Sequence, residues 1–169
     1  METKIIILRG NAGSGKSTIS RALCEHFNDD VLYLEQDTFR LGIIKTKQDE
    51  NFQVRRNVLT QGAMLAMLNW GLENCKYIIF DGIFSVKKYT NLIDEILKKS
   101  KNVYAYYFDL PFEETAKRHS TRDKAKLFDA EVMREWFKPH DYLPQIKEKI
   151  ITKELTKEQI VSMILSDVE

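Results

Sequence analysis

The chain has 169 residues, of which 43% are hydrophobic and 30% charged, and 26 Lys and Arg against 25 Asp and Glu give a formal charge of +1. This length predicts a single domain over residues 1–169. The near-neutral balance excludes a global field that would attract nucleic acid or anionic lipid. The longest apolar runs are strand-sized, which excludes a membrane-spanning helix, argues against a cleaved signal peptide and predicts a cytoplasmic protein.

Short apolar runs predict five strands, near residues 4–9, 31–35, 77–80, 103–108 and 150–152. The strands are apolar throughout rather than alternating, which is typical of parallel strands covered on both faces. Helical patterns separate most of them, and residues 37–47 look like connecting structure. This alternation predicts an α/β fold, a three-layer α/β/α sandwich around a five-stranded parallel sheet.

The longest predicted helix runs from about residue 51 to residue 73. Its apolar residues recur near the 3.6-residue helical period and predict one buried face, made by Val54, Val58, Leu65, Leu68 and Leu72. Pro111 favours the first turn of a helix after the fourth strand. The segment Thr156-Lys157-Glu158-Gln159 resembles a capping box at the start of the last helix.

A phosphate-binding motif follows the first predicted strand and leads into a helix. It fits G-x-x-x-x-G-K-[ST] and comprises Gly10, Asn11, Ala12, Gly13, Ser14, Gly15, Lys16 and Ser17. Its glycines let backbone N–H groups turn toward a phosphate, Lys16 reaches the β- and γ-phosphates, and the Ser17 hydroxyl binds Mg²⁺. We therefore predict that residues 10–18, ending at Thr18, bind ATP with Mg²⁺.

Two carboxylates follow strands at the edge where ligands of parallel sheets bind. Asp37 comes after the second strand and is a candidate base toward an acceptor hydroxyl, with a helix N-cap as the alternative. Asp81 ends the third strand and is a candidate Mg²⁺ ligand, with an Asp-Gly turn as the alternative. Arg40 and Arg56 are candidates for holding the acceptor, with solvated surface as the alternative.

A basic segment follows the helix after the fourth strand, with five Lys or Arg among residues 117–126. Arg118 and Arg122 are four residues apart, so on a helix they share one face and could clamp a transferring phosphoryl group. We predict a small helical lid at about 118–138, although a solvated basic face would look the same. His119 is interpreted as a local hydrogen-bonding residue, and Phe128, Trp136 and Phe137 as packing that anchors the lid.

Together these segments resemble the small "predicted kinase" P-loop proteins related to zeta toxins and chloramphenicol phosphotransferase. The resemblance rests on the loop at 10–17, on Asp37-Thr38-Phe39-Arg40, on Asp81 and on residues 114–136. It implies ATP, Mg²⁺, a strand order of 2-3-1-4-5 and Asp37 as base. The chain lacks the length and appended helices of zeta toxins, which argues against phosphorylation of UDP-sugars.

The leading functional hypothesis is an ATP-dependent phosphotransferase with a small-molecule alcohol as acceptor: a nucleoside, sugar, nucleotide-sugar or antibiotic. In it Lys16, Asp37, Arg118 and Arg122 are catalytic, and the protein is a monomer or homodimer. A nucleoside or nucleotide kinase is the nearest alternative. A GTPase-like switch would need Asn-Lys-x-Asp and Asp-x-x-Gly, which the sequence lacks, and a polynucleotide kinase is disfavoured by the neutral charge balance.

Overall fold

The structure is a computed structural model that describes residues 2–120 and 130–169. Five parallel strands form one sheet in the order β2-β3-β1-β4-β5, as the family resemblance implied. The strands are β1 Lys4–Gly10, β2 Val31–Glu35, β3 Tyr77–Gly82, β4 Val103–Phe108 and β5 Lys149–Ile151. The fifth strand, the weakest in the sequence, has only three residues and pairs with the end of β4.

The described helices are α1 Lys16–Phe27, α2 Phe52–Asn74, α3 Val86–Lys99, α4 Phe112–Ser120, α5 Ala130–Trp136 and α6 Lys157–Val168. A short π-helix, Thr38–Ile43, occupies part of the segment predicted as connecting structure. The predicted capping box of α6 is confirmed. Thr156 Oγ1 accepts from the Gln159 N–H at 3.2 Å, and Gln159 Oε1 accepts from the Thr156 N–H at 2.9 Å.

The sheet is covered on both faces because successive β1 side chains point to opposite sides. Ile5 and Ile7 pack into a core cluster that includes buried residues of α2 and α3. Ile6 and Leu8 pack into a second cluster with residues of α1 and α6. All four side chains are fully buried, which explains why the strand is apolar at each of positions 5–8. The predicted three-layer sandwich is confirmed.

The predicted buried face of α2 is wrong in its first half. Val54 and Val58 are 64% and 62% exposed, whereas the buried residues are Thr60, Met64, Leu68 and Gly71. The helix has 23 residues and β3 has six, so a helix of about 35 Å lies on a strand of about 20 Å. Because α2 precedes β3 and runs against it, its excess length projects past the carboxyl edge of the sheet.

A buried charge network closes the same edge. The Arg9 side chain is fully buried at the end of β1, and its guanidinium donates to Asp141 Oδ2 at 2.9 Å and to Glu148 Oε2 at 3.0 Å. It also donates to the Phe84 carbonyl and lies 4.9 Å from the centroid of the Tyr107 ring. Every side of this cation has a partner, so the network ties the segment before β5 to the centre of the sheet.

Two further observations concern the cysteines and the length of the helices. Cys24 and Cys75 are free thiols, and burial raises the pKa of both. Among the described residues, none of the helices combines the length and the apolar character needed to cross a membrane.

Candidate active site

The phosphate loop occupies the turn between β1 and α1. Gly10, Gly13 and Gly15 have φ angles of 142°, 79° and 101°, in the region that side chains disfavour. A Cβ on Gly13 would clash with the carbonyl oxygen of Thr115 in α4. Glycine is therefore required both by the backbone conformation and by the close approach of α4, and the loop keeps its N–H groups at the N-terminus of α1.

Lys16 is buried and folds back over this loop. Its Nζ donates to the Asn11 carbonyl at 2.8 Å and to Ser14 Oγ at 3.1 Å. The Asn11 side chain in turn donates to the Lys138 carbonyl at 2.8 Å. The ammonium group is thus held over the cradle where the motif places nucleotide phosphates.

One cleft brings the predicted groups together. Its lining residues are Ala12, Gly13, Gly15, Lys16, Ser17, Glu35, Gln36, Asp37, Asp81, Gly82, Ile83 and His119. Ser17, Asp37 and Asp81 therefore face the same space as Lys16, although they come from three separate elements. This follows from the parallel sheet, since β1, β2 and β3 all end at this edge.

Asp81 lies within β3 and is buried, so the alternative of an Asp-Gly turn is wrong. Its Oδ2 accepts a hydrogen bond from the Tyr33 hydroxyl at 2.8 Å. Burial and the charge of Asp81 raise the pKa of Tyr33, which keeps the phenol protonated and able to donate. Tyr33 was missed in the sequence because it looks like one more aromatic residue of a buried strand.

Asp37 immediately precedes the π-helix, but its side chain makes no capping hydrogen bond there. Asp37 thus occupies the N-cap position without capping the helix through its side chain, and the carboxylate lines the cleft. The neighbouring Gln36 is buried and accepts from the Ile83 N–H at 2.9 Å. This contact joins the ends of β2 and β3 and fixes the point from which Asp37 projects.

Arg40 and Arg56 flank the Asp37 side of the site. The Nε atoms of both are buried and have no hydrogen-bond partner among the described residues. Burial lowers the pKa of Arg56, and the charge of Arg40 lowers it further, against smaller opposite effects of Tyr89 and Asp37. Arg56 is thus not an ordinary surface residue of the helix. Arg55 is an ordinary surface residue, since its guanidinium pairs with Asp49 at 3.0 Å.

The predicted lid is described in part. Arg118 Nε donates to Glu114 Oε1 at 2.6 Å, and Arg118 Nη1 lies 3.3 Å from the Ser14 carbonyl. Arg118 is therefore beside the phosphate loop, as its predicted role requires. Arg122 and Phe128 lie outside the described residues, and the role of Arg122 stays a prediction. His119 is buried and lines the cleft.

The packing predicted to anchor the lid is correct for one of the two aromatic residues of that set that the structure describes. Phe137 packs edge-on against Phe112, with ring centroids 5.4 Å apart. Trp136 is 49% exposed, so it does not fill a core. Met133 is the buried residue of α5, and the Arg134 guanidinium lies 4.0 Å from the centroid of Phe112. These contacts hold α5 and the residue after it against α4.

The sheet order and the phosphate loop define this molecule as a P-loop protein with the fold of small kinases. A family model described as AAA domain (AAA_33) matches residues 5–139. That is well over half of the chain, and the chain belongs to this family. The particular kinship with zeta toxins and chloramphenicol phosphotransferase stays a prediction. No match was found among curated proteins.

Solved structures of several kinases share the fold. The APS kinase CysC of Mycobacterium tuberculosis, in complex with AMPPNP and APS, has a TM-score of 0.67 at 12% identity, covering 98% of this chain and 97% of its own. A sugar kinase from Janibacter sp. has 0.65 at 18%, covering 98% and 95%. A gluconokinase from Sinorhizobium meliloti has 0.60 at 15%, covering 98% and 91%. Such identities establish the fold alone.

Proposed function

We propose that the protein is an ATP-dependent phosphotransferase that moves the γ-phosphoryl group to a hydroxyl of a small-molecule acceptor. The observation that carries this proposal is the single cleft lined by Lys16, Ser17, Asp37 and Asp81. It combines a phosphate-binding cation, a metal-binding hydroxyl and two carboxylates, which are the groups that phosphoryl transfer needs. The kinase folds of the structural neighbours support the same reaction class.

The donor side fits ATP with Mg²⁺. Among the described residues there is no cluster of three acidic, His or Cys side chains that would hold a metal alone. Mg²⁺ bound with a nucleotide typically takes one or two protein oxygens and completes its shell with phosphate and water. The Ser17 hydroxyl and the Asp81 carboxylate, oriented by Tyr33, would supply those oxygens. When bound, the ion neutralises charge on the β- and γ-phosphates.

The acceptor side supplies a base. Asp37 would accept the proton of the acceptor hydroxyl while the hydroxyl oxygen bonds to the γ-phosphorus. The bond from that phosphorus to the β,γ-bridging oxygen breaks, and ADP leaves with the electron pair. Lys16 and Arg118 lie beside the loop that holds the phosphates, and they would stabilise the charge on the equatorial oxygens and on the leaving group.

An acceptor screen with γ-labelled ATP and Mg²⁺ tests the proposal. The panel includes nucleosides, nucleotides, sugars, sugar acids, sugar phosphates, UDP-sugars and hydroxylated antibiotics, with Lys16→Ala as the blank. We expect label to move to one chemical class with the wild type and not with the blank. If ATP binds but no compound in the panel gains label, the protein is a nucleotide-binding regulator and the proposal is wrong.

A further inference from the structure

Buried polar atoms without partners are concentrated on one side of the site. Five side-chain atoms of this kind occur among the described residues, and four of them lie between residues 40 and 60: Arg40 Nε, Thr46 Oγ1, Arg56 Nε and Thr60 Oγ1. Folded proteins pair nearly all such atoms, so each exception needs a physical reason. Here the exceptions fall in the π-helix, in α2 and in the segment that joins them, beside Asp37.

The two arginines are electrostatic neighbours although they come from different elements. The charges of both arginines act on Tyr89, and the charge of Arg40 acts on Arg56. The contact between the π-helix and α2 brings the two residues together. Bringing two guanidinium groups together and burying their Nε atoms is costly unless a negative charge compensates for it. Thr60 is one helical turn beyond Arg56, on the same face of α2.

The described residues supply little negative charge for this pair. Asp37 is the carboxylate that acts on Arg56, and the nearby Asp49 is already paired with Arg55. Tyr89 stays a neutral phenol, because burial raises its pKa, and its hydroxyl donates to Asn57 Oδ1 at 3.3 Å. Arg56 Nη2 donates to Gln53 Oε1 at 2.9 Å, and its guanidinium lies 5.1 Å from the centroid of Phe52. These are neutral groups, so the positive charge is not compensated by them, and the two Nε–H donors keep no partner in the described structure.

We infer that the acceptor is an anionic alcohol whose carboxylate, phosphate or sulfate group binds to Arg40 and Arg56 while its hydroxyl lies at Asp37. The inference rests on the proposed function and narrows it to one class of substrate. A guanidinium presents parallel N–H donors that match the oxygens of these groups. The anion supplies acceptors for the N–H donors of Arg40 and Arg56 that the described residues leave without partners.

Anion binding can be measured apart from catalysis. The protein is saturated with Mg²⁺ and AMPPNP, so that the phosphate loop is filled, and is then titrated with sulfate, phosphate or acetate at an ionic strength held constant with NaCl. The readout is the shift of the melting temperature. We expect a saturable rise with at least one anion that is lost in the Arg40→Gln/Arg56→Gln variant and kept in Arg55→Gln, the adjacent arginine on the surface. An equal response in the double variant would overturn the inference.

Transfer to matched acceptors tests the same inference and separates it from the proposed function. Each pair compares a neutral compound with its anionic form: a sugar with its sugar acid, a sugar with its phosphate, and a nucleoside with its nucleotide. We expect label only on anionic members, and the accepting pair identifies the anion as carboxylate or phosphate. In Arg56→Gln the KM for the acceptor should rise about 10- to 100-fold at an unchanged KM for ATP, with partial recovery in Arg56→Lys.

The two ideas fail in different ways. If neutral compounds are phosphorylated and neither arginine affects their KM, the anionic acceptor is wrong and the phosphotransferase stands. If anions bind through Arg40 and Arg56 but no label moves to any compound, the anion site stands and the proposed function is wrong.

Discussion

Arg9 and the pair formed by Arg40 and Arg56 show two ways of burying a cation at the same edge of one sheet. Arg9 has a carboxylate, a carbonyl or an aromatic ring on every side. Arg40 and Arg56 keep buried Nε atoms without partners in the described structure. A fully paired buried charge is part of the fold. An incompletely paired buried cation next to a candidate base is explained by a ligand whose negative charge completes the pairing.

The same difference separates the cleft from the two helices that follow Asp37, the π-helix and α2. On the donor side, Lys16 and Asn11 hydrogen-bond to the loop or to the segment that covers it, and Tyr33 orients Asp81. These groups are already positioned, as expected for a site that binds the same nucleotide in every turnover. The π-helix follows Asp37 directly and contacts α2, and the buried Nε atoms of Arg40 and Arg56 in these two helices keep no partner in the described structure.

The largest effect should come from breaking the paired cation. Arg9→Met leaves Glu148 and Asp141 facing a buried site without their guanidinium, and the free energy of unfolding should fall by about 3–5 kcal/mol. Urea denaturation measures it. Adding Glu148→Leu to Arg9→Met should recover part of the loss, because the uncompensated buried charge is then removed. A loss below about 1 kcal/mol for Arg9→Met would show that the network is not structural.

A smaller loss is expected in the phosphate loop itself. Gly13→Ala forces a side chain onto a backbone with φ of 79° and against the Thr115 carbonyl, which should cost about 1–3 kcal/mol and weaken ATP binding. Gly62→Ala is the matched control. Its Cβ meets no described atom within 4 Å, and alanine in a helix should raise stability by about 0.5–1 kcal/mol. Thermal unfolding of both variants, with and without ATP, measures these effects. Equal changes in Gly13→Ala and Gly62→Ala would contradict the requirement for glycine at position 13.

The smallest effect on stability is expected at the incompletely paired cations. Arg56→Gln removes a half-buried guanidinium whose pKa is lowered by burial and by the charge of Arg40. The free energy of unfolding without ligand should therefore change by less than about 1 kcal/mol. Urea denaturation should show this near-neutral result beside the large loss of Arg9→Met. A loss as large as that of Arg9→Met would mean that Arg56 is structural, and the contrast between the two sides would be wrong.

The parts of the molecule predicted from the sequence are those whose signal is local. Five apolar runs gave the strands, and the phosphate loop is defined by residues adjacent in the chain. The parts that were missed depend on tertiary packing. The exposure of Val54 and Val58 follows from the length of α2 relative to the sheet, which periodicity does not reveal. The Tyr33 contact with Asp81 joins two strands, and the buried Nε atoms of Arg40 and Arg56 appear only when the π-helix meets α2.

The most direct test of the central claim is the effect of Asp37→Asn on ATP binding and on transfer to the acceptor identified by the screen. The substitution keeps the size of the side chain and removes its ability to take a proton. We predict a dissociation constant for ATP close to that of the wild type and a transfer rate lower by about 10²- to 10⁴-fold. Unchanged transfer in Asp37→Asn would contradict the account, because the cleft would then lack the base that joins its donor and acceptor sides.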